Sequence, residues 1–467
     1  MSMQRFPENF TWGAATASYQ IEGGAQADGR APSVWDMMCR WEGKVNSGHS
    51  GDVACDHYHR FREDVRLMGE LGLRSYRFSF AWPRVIPNGT GTVNEAGLGF
   101  YDQLIDALLE QGIEPFPTLF HWDYPLALFN RGGWLNPDSP KWFADYTSVL
   151  VDRFSDRISK WFTLNEPSCF LGLGHVTGTH APGLKLDYPE FFLGVKHAMM
   201  SHGTASQVIR SQSKTPNPHV SIAPVSSLGV PVDDSAENIV AAREYTFGEP
   251  HPDRGFWHPA IYLDPVCKGV WPESIERFLS SRPIPVSADD LKTMHQAPDS
   301  IGLNYYSAVR VQSMPDGSIR SLLHVPGHPR TGFDWPVVPE GMYWSIRFHH
   351  ERYGLPCYIT ENGLSGIDWV AEDGGVHDPQ RIDYTARHLK ELLRAHHDGH
   401  PVLGYFHWSL LDNFEWAEGY RHRFGLIHVD YETQKRTIKD SGHWYRRVAD
   451  SNGSILTDPQ GDPVSTR

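Results

Sequence analysis

Short apolar stretches alternate along the chain with longer segments in which apolar residues recur every three or four positions. A short stretch rich in β-branched and aromatic residues predicts a buried strand, whereas the three-to-four spacing predicts an amphipathic helix. The first pattern occurs eight times, and it predicts strands at residues 10–14, 73–80, 114–119, 160–165, 219–225, 300–303, 355–360 and 402–408.

Helices are predicted between these strands, most clearly at residues 97–111, 141–154 and 381–393. The apolar face of the first consists of Leu98, Tyr101, Leu104, Ile105 and Leu108. The inner face of the second consists of Trp142, Tyr146, Val149 and Phe154. About eight strand–helix units in succession predict an α/β fold, a single (β/α)8 TIM barrel.

Long segments rich in Gly, Pro and Trp separate several of the units, at residues 30–56, 171–190, 312–341 and 409–437. In a barrel of this type the loops after the strands lie at the C-terminal face, so we expect these segments to wall a deep pocket there. No Ser/Gly-rich linker and no repeat of 20–50 residues divides the chain. We therefore predict one catalytic domain over residues 1–467.

The formal net charge of −14, without any basic run, argues against nucleic acid or an anionic membrane as a partner. No stretch approaches the ~20 apolar residues of a membrane helix, and the first residues lack the pattern of a secretory signal. The five Cys are scattered without CxxC spacing, as in a reduced protein. These features predict a cytoplasmic location. The oligomeric state stays open, and a homo-oligomer is compatible with the sequence.

Two carboxylates stand at strand ends almost two hundred residues apart. Glu166 follows the fourth predicted strand in Thr-Leu-Asn-Glu-Pro, and Glu361 ends the seventh in Ile-Thr-Glu-Asn-Gly. A single Glu after a strand is more often a helix-capping or surface group. In a barrel, however, both carboxylates project toward one rim, and two carboxylates facing one pocket are the minimum equipment for cleaving a glycosidic bond.

Seven short strings, in the same order along the chain, resemble those of family 1 glycoside hydrolases. They lie at residues 10–23, 75–79, 120–123, 163–167, 302–306, 359–363 and 409–416. The resemblance covers residues 6 to 445, approximately. It implies a (β/α)8 barrel that works as a retaining β-glycosidase without a cofactor or a metal.

The resemblance implies different roles for the two carboxylates. Glu361 corresponds to the nucleophile, and Glu166 to the general acid that later acts as the base. Arg77 and the Tyr306 hydroxyl are expected to hold Glu361 anionic, while Glu166 keeps its proton beside that charge. Retaining enzymes place their two carboxyl groups ~5–5.5 Å apart, and we expect that separation here.

The resemblance also implies a set of sugar-binding residues. Asn165 corresponds to the residue that holds the 2-hydroxyl, and Trp408 to the platform beneath the sugar ring. The remaining hydroxyl clamp corresponds to Gln20, His121, Glu415 and Trp416. Glu415 disfavours 6-phosphorylated sugars, because relatives that cleave them usually have Ser here and a carboxylate repels phosphate. The neighbouring Arg421 and Arg423 are therefore expected to be exposed or structural.

The leaving-group side of the pocket departs from the family pattern. Ser168 follows Asn-Glu-Pro where many members have Trp, and Trp335 matches another Trp of the entrance. We expect both residues on the aglycone side, with Trp335 as the stacking surface. The natural aglycone stays open.

The expected substrates are β-O-glucosides and short oligosaccharides, as in cellulose degradation, with side activity on β-galactosides or β-fucosides. The alternatives are a mainly transglycosylating enzyme, a 6-phospho-β-glycosidase, and a catalytically silent sugar-binding barrel. A metal site is not predicted: His57 and His59 stand two residues apart on a helix, a spacing that does not put both rings on one face.

Overall fold

Eight parallel strands close into a barrel in the computed structural model, which describes residues 4–225, 227–248 and 255–457. The strands are β1 (Thr11–Ala15), β2 (Ser75–Ser79), β3 (Glu114–Phe120), β4 (Lys160–Asn165), β5 (His219–Ala223), β6 (Ser300–Asn304), β7 (Cys357–Asn362) and β8 (Val402–Trp408). This confirms the predicted (β/α)8 fold, with strand bounds within two residues of those expected. The two ends of the predicted domain, 1–3 and 458–467, lie outside the described residues.

The barrel closes between its first and last strands. β1 pairs in parallel with β8, from Thr11 opposite Gly404 to Ala15 opposite Trp408. At Gly13 a Cβ atom would lie 2.6 Å from the Phe406 ring, so only glycine lets this ring pack against β1. Closure brings the C-terminal ends of all eight strands to one rim, although residues far apart in sequence supply them.

Helices between the strands surround the barrel. The longer ones are His57–Glu70, Glu95–Glu110, Ser139–Phe154, Tyr188–Gln212, Ala236–Phe247, Ala260–Lys268, Glu340–Tyr353, Pro379–His397 and Asp440–Asp450. The helices at 139–154 and 379–397 start two residues before the predicted positions, because Pro140 and Pro379 occupy their first turns, where proline is tolerated. The apolar face predicted for the helix at 97–111, which the structure places at Glu95–Glu110, is buried throughout.

Short elements lie between the longer helices and the barrel strands, some of them within the segments predicted as long loops. The short helices are Ser18–Ile21, Val34–Met38, Trp82–Val85, Leu126–Phe129, Glu273–Phe278 and Ala288–Met294, with a π-helical segment at Ser168–Thr177. Single 3-10 turns are Ala27–Gly29, Asn46–Gly48, Gly133–Leu135, Gly255–Trp257, Trp416–Glu418 and Ser454–Thr457. The additional strands are Gly229–Pro231, Val309–Ser313 and Ile319–Leu322 in one sheet, and Ile427–Val429 with Arg436–Ile438 in a hairpin.

Aromatic side chains fill the barrel interior. Phe116 on β3 contacts Phe406 on β8 and Tyr358 on β7, with ring centroids 5.0 and 5.9 Å apart, and Phe162 on β4 completes the group. Since β3 is a neighbour of neither β7 nor β8, these contacts cross the interior. The interior is therefore a packed core and not a channel. Within the described ranges, no helix has both the length and the apolar character to cross a membrane.

Candidate active site

A cavity of about 480 Å³ lies at the C-terminal ends of the barrel strands. Among the residues predicted from the sequence, its wall contains His121, Glu166, Tyr306, Trp335, Glu361, Trp408, Glu415 and Trp416. Arg77, Asn165 and Gln20 are buried beside the wall and hydrogen-bond to its residues Glu361, His121 and Glu415, respectively. The two carboxylates, separated by almost two hundred positions in sequence, thus face one cavity.

Glu361, on β7, has both carboxylate oxygens held by donors. Arg77 Nη1 lies 2.6 Å from Glu361 Oε1, and the Tyr306 hydroxyl lies 2.7 Å from Oε2. Burial raises the pKa of Glu361, while the positive charge of Arg77 and the hydrogen bond from Tyr306 oppose that rise. The carboxylate is therefore fixed in orientation, with a cation to stabilise its ionised form.

Glu166 follows β4 and has a left-handed backbone, with φ of 46°, which non-glycine residues seldom adopt. Its amide donates to the Ala223 carbonyl at 2.7 Å, which holds the turn in place. Burial raises the pKa of Glu166 to about 8, and the negative charge of Glu361 contributes to the rise. Among the residues that the structure describes, no cation forms an ion pair with this carboxyl group, and the raised pKa keeps it protonated near neutral pH. The left-handed backbone at Glu166 is a strained conformation of the kind that is typical of functional sites.

Asn165 is linked to Glu361 through the Arg77 guanidinium. Its Oδ1 accepts a hydrogen bond from Arg77 Nη2 at 2.7 Å, and its Nδ2 lies 3.1 Å from His121 Nε2. The Arg77 guanidinium therefore bonds Asn165 with one nitrogen and Glu361 with another. This bridge fixes the position of Asn165 relative to Glu361.

Asn304 is a site residue that the sequence analysis missed. Its Nδ2 donates to Glu166 Oε1 at 2.7 Å and lies 3.1 Å from Asn165 Oδ1, while its own Oδ1 accepts from Thr360 at 2.7 Å. Asn304 ends β6 and lies within one of the seven strings. Its position at a strand end was the signal that could have found it.

Substitution of Asn304 by alanine is expected to move both limbs of the pH profile of kcat/KM upward. The Asn304 amide lowers the pKa of both Glu166 and Glu361, because it donates to Glu166 and its polar hydrogens also favour the ionised form of the nearby Glu361, so its loss raises both pKa values. The measurement is kcat/KM on an aryl β-glucoside across the pH range, with circular dichroism as the control for folding. A folded variant with both limbs unmoved would contradict this role.

Two residues of the predicted glycone clamp have polar atoms without a protein partner in the described part of the chain. Glu415 Oε2 accepts from Asn413 Nδ2 at 3.1 Å and lies 3.3 Å from Gln20 Nε2. Gln20 Oε1 and His121 Nδ1 are buried and form no hydrogen bond within the described part of the chain. Since buried polar atoms are nearly always satisfied, these two atoms mark places for ligand hydroxyl groups.

Aromatic rings line the cavity. Trp408 lies nearly parallel to His121 with centroids 5.8 Å apart, and Trp416 packs against Trp122 at 4.5 Å. On another side Trp335 stacks on Phe333 at 4.6 Å, so the predicted aglycone-side Trp has an aromatic partner that the sequence did not indicate. Flat apolar faces of this kind suit stacking against a sugar ring.

The residues after Glu166 form the π-helical segment, a feature frequent at functional sites. Ser168 is not among the residues that line the cavity, and its buried hydroxyl donates to the Val225 carbonyl at 3.1 Å. Cys169 and Leu173 from the same segment line the cavity instead. The wall on this side therefore comes from residues that the sequence analysis did not select.

The cationic residues near Glu415 are engaged elsewhere. Arg421 is exposed and lies 3.5 Å from Glu418, and Arg423 forms an ion pair with Asp412 at 2.6 Å. This confirms the exposed and structural roles predicted for the pair. Within the described ranges, neither lysine nor arginine lines the cavity.

The histidines considered for metal binding have other partners. His57 is buried and lies 2.8 Å from Asp64, while the exposed His59 lies 2.6 Å from Asp56. In the part of the chain that the structure describes, no group of three or more His, Cys, Asp or Glu side chains is arranged to hold a metal ion.

Comparisons with known proteins agree with this geometry. "Beta-glucosidase A" of Thermotoga maritima is 44% identical over 454 residues, covering 97% of this chain and 99% of its own. "1,4-beta-D-glucan glucohydrolase" of Thermotoga neapolitana is 44% identical over 457 residues, covering 98% and 100%. The structure of the Thermotoga maritima β-glucosidase in complex with glucoimidazole superposes with a TM-score of 0.88 at 44% identity, covering 96% and 99%. The sequence profile described as "Glycosyl hydrolase family 1" matches residues 2–454, and the chain belongs to that family.

Proposed function

We propose that this protein is a retaining β-glucosidase that releases terminal β-D-glucosyl residues from β-O-glucosides and short oligosaccharides. The observation that carries the proposal is the pair of buried carboxyl groups in one cavity, with Glu361 paired to a cation and Glu166 not. Two carboxyl groups with different protonation states are what acid and nucleophile require. The relatives named as β-glucosidases support glucose as the glycone.

In the first step Glu361 attacks the anomeric carbon while Glu166 donates its proton to the glycosidic oxygen. The bond from that carbon to the leaving oxygen breaks, the aglycone departs as an alcohol, and a covalent glycosyl ester forms on Glu361. Arg77 and Tyr306 hold the attacking carboxylate in place, which reduces the entropy lost on reaching the transition state.

In the second step Glu166 acts as the base. Burial is the main cause of the raised pKa of Glu166 and remains in the second step, but once Glu361 is an ester it carries no charge. The part of the rise that comes from repulsion then disappears, so the Glu166 carboxylate forms more easily. Glu166 takes a proton from water, the water oxygen attacks the anomeric carbon, and the ester bond to Glu361 breaks. Two inversions at one carbon give net retention of the β configuration.

The glycone side favours an unphosphorylated sugar. Burial raises the pKa of Glu415 to about 8, so its discrimination against phosphate depends less on a fixed negative charge than the sequence alone suggested. The stronger argument is the wall of the cavity, which contains Glu166, Glu361 and Glu415 and, in its described part, no lysine or arginine. A phosphate dianion would enter that site without a cation to replace its hydration.

A panel of p-nitrophenyl β-glycosides tests the proposed function. We expect rapid hydrolysis of the β-glucoside, with net retention seen by NMR of the first product, and weaker hydrolysis of the β-galactoside and β-fucoside. The 6-phospho-β-glucoside is expected to react at least about 100-fold more slowly in kcat/KM, since an unpaired buried charge costs several kcal/mol. Preference for the phosphorylated substrate would support the phospho-glycosidase alternative, and no hydrolysis at all the silent barrel.

We further propose that the whole chain forms one catalytic domain and works in the cytoplasm. Closure of the barrel between β1 and β8 supports the first point, because the strands at both ends of the chain complete one sheet. All five Cys have free thiols, which supports a reducing compartment.

A further inference from the structure

Six charged side chains form a cluster outside the cavity, four of them buried and two, Asp368 and Arg423, half-buried. It contains three carboxylates and three cations, and none of them lines the cavity: Asp368, Asp378, Arg381, Asp412, Arg423 and Lys439. We call it the ion cluster. A buried ion pair often adds little net stability, because the cost of removing its charges from water offsets their attraction. Stability alone therefore does not explain why the ion cluster lies where it does.

Lys439 lies at the centre of the ion cluster and is fully buried. Its Nζ lies 2.7 Å from Asp412 Oδ1 and 2.5 Å from Asp368 Oδ2. Arg423 Nη1 lies 2.6 Å from the other oxygen of Asp412, and the Gly425 amide donates to Asp412 Oδ1 at 3.0 Å. The Asp412 carboxylate therefore has donors on both oxygens, and its side chain has a single position.

Asp412 belongs to the segment that follows β8 and reaches Glu415 three residues later. Between them, the side-chain amide of Asn413 donates to Glu415 Oε2. Phe414 forms two hydrogen bonds with Gln20: its backbone amide donates to the Gln20 carbonyl at 3.0 Å, and its carbonyl accepts from Gln20 Nε2 at 2.8 Å. The backbone of Asp412 is also held, since its carbonyl accepts from the Cys55 thiol at 2.9 Å. A displacement of Asp412 would therefore move Glu415 and Gln20 together.

The other end of the ion cluster reaches the segment after the nucleophile. Asp368 pairs with Arg381, whose guanidinium also donates to the Leu364 carbonyl, three residues beyond Glu361. Gly366 exchanges two backbone hydrogen bonds with Arg423, at 2.8 and 3.0 Å. The ion cluster therefore connects the loop after β7, the strand that carries Glu361, to the loop after β8, which carries Glu415.

We infer that Lys439 is a positioning residue for Glu415: through Asp412 and Asp368 it fixes the glycone clamp relative to the nucleophile Glu361. The inference rests on the proposed glycosidase function and adds a residue that never touches substrate. Misplacement of a clamp by a fraction of an ångström weakens its contacts in the transition state, where orientation counts most.

A double-mutant cycle between Lys439→Met and Glu415→Ala tests the inference. Lys439→Met is expected to lower kcat/KM on p-nitrophenyl β-glucoside about tenfold or more in the wild-type background, and less than about twofold in the Glu415→Ala background. A structural role alone would give the same factor in both backgrounds. The matched control, Arg352→Met, removes a cation from the ion pair with Asp264 away from the cavity, and its factor is expected to be equal in both.

The cycle keeps its meaning if Lys439→Met does not fold. The double variant Asp368→Asn/Lys439→Met then replaces it, because it keeps the ion cluster electrically neutral while removing the same contact to Asp412. If the effects of the Lys439 and Glu415 substitutions on kcat/KM are additive in folded, active proteins, Lys439 does not position Glu415. That result would leave the proposed function intact. Absence of activity in the wild-type protein would overturn the proposed function and this inference with it.

Discussion

Replacement of Glu361 by glycine is expected to lower kcat for β-glucoside hydrolysis by about 10⁵-fold, because removal of a covalent nucleophile has effects of this order. The side chain is buried in the cavity wall and held on both oxygens, so no neighbouring group can take its place at the anomeric carbon. Glu166 lies in the same cavity, but its raised pKa keeps it protonated, so it can donate a proton to the leaving oxygen and cannot act as the nucleophile. The measurement is the steady-state rate on an aryl β-glucoside, with circular dichroism to verify the fold.

Added azide distinguishes a missing nucleophile from a damaged site. With the carboxylate gone, azide can occupy the vacated space and attack the anomeric carbon while the aryl group leaves as phenolate, which forms a glycosyl azide. A single displacement inverts the configuration, so the expected product is the α-glycosyl azide, whereas the wild-type protein gives β products. Undiminished hydrolysis by Glu361→Gly, or a β-azide as its product, would contradict the nucleophile assignment.

The elements that decide the site could be predicted from the sequence because strand patterns and strand ends are local signals. The runs ending at Asn165 and Glu361 are continuous and apolar, as in strands buried on both faces, and the C-terminal ends of parallel strands meet at one rim. Closure of the barrel then follows from the number of units. This is why carboxylates almost two hundred residues apart could be assigned to one pocket.

The entrance wall could not be predicted, since it depends on how irregular segments pack. Phe333 stacks on Trp335 and also on His422, at 3.9 Å, a contact between segments ninety residues apart with no periodic pattern. Ser168 was expected on the aglycone side, but in the π-helical segment its hydroxyl turns to Val225 and Cys169 faces the cavity. In an irregular helix the spacing of side chains differs from that of an α-helix, so the side chain that faces the cavity can be the next one along the chain.

Electrostatics are a further limit of sequence reasoning, because the charge of a buried group depends on its surroundings. The sequence indicated a carboxylate at Glu415 that repels phosphate, whereas burial raises the pKa of Glu415 to about 8. The different states of Glu361 and Glu166 were predictable only because Arg77 could be assigned to one of them. In the structure, Arg77 Nη1 lies 2.6 Å from Glu361 Oε1.

Replacement of Glu166 by alanine is expected to produce a loss that depends on the leaving group. Proton transfer by a general acid contributes about 10²–10⁴-fold, so cellobiose and alkyl β-glucosides, whose leaving oxygens need a proton, should lose activity to this extent. With 2,4-dinitrophenyl β-glucoside, whose leaving group departs as a stable phenolate, formation of the glycosyl ester should change little. The expected result is a burst of dinitrophenol followed by slow turnover, because hydrolysis of the ester still needs the base.

The pH profile supplies the control for this assignment. Glu166 must be protonated to act as the acid, and burial together with the charge of Glu361 raises its pKa to about 8. In the wild-type protein kcat/KM for the alkyl glucoside should therefore fall as pH rises through about 8, and Glu166→Ala should lose this alkaline limb while it keeps the acidic limb, which reports protonation of Glu361. Glu418→Ala, which removes another carboxylate of the cavity wall, should keep both limbs. The alkaline limb reports the loss of the proton that the acid donates to the leaving oxygen. If this limb persisted in a folded Glu166→Ala variant, the acid would therefore be another group.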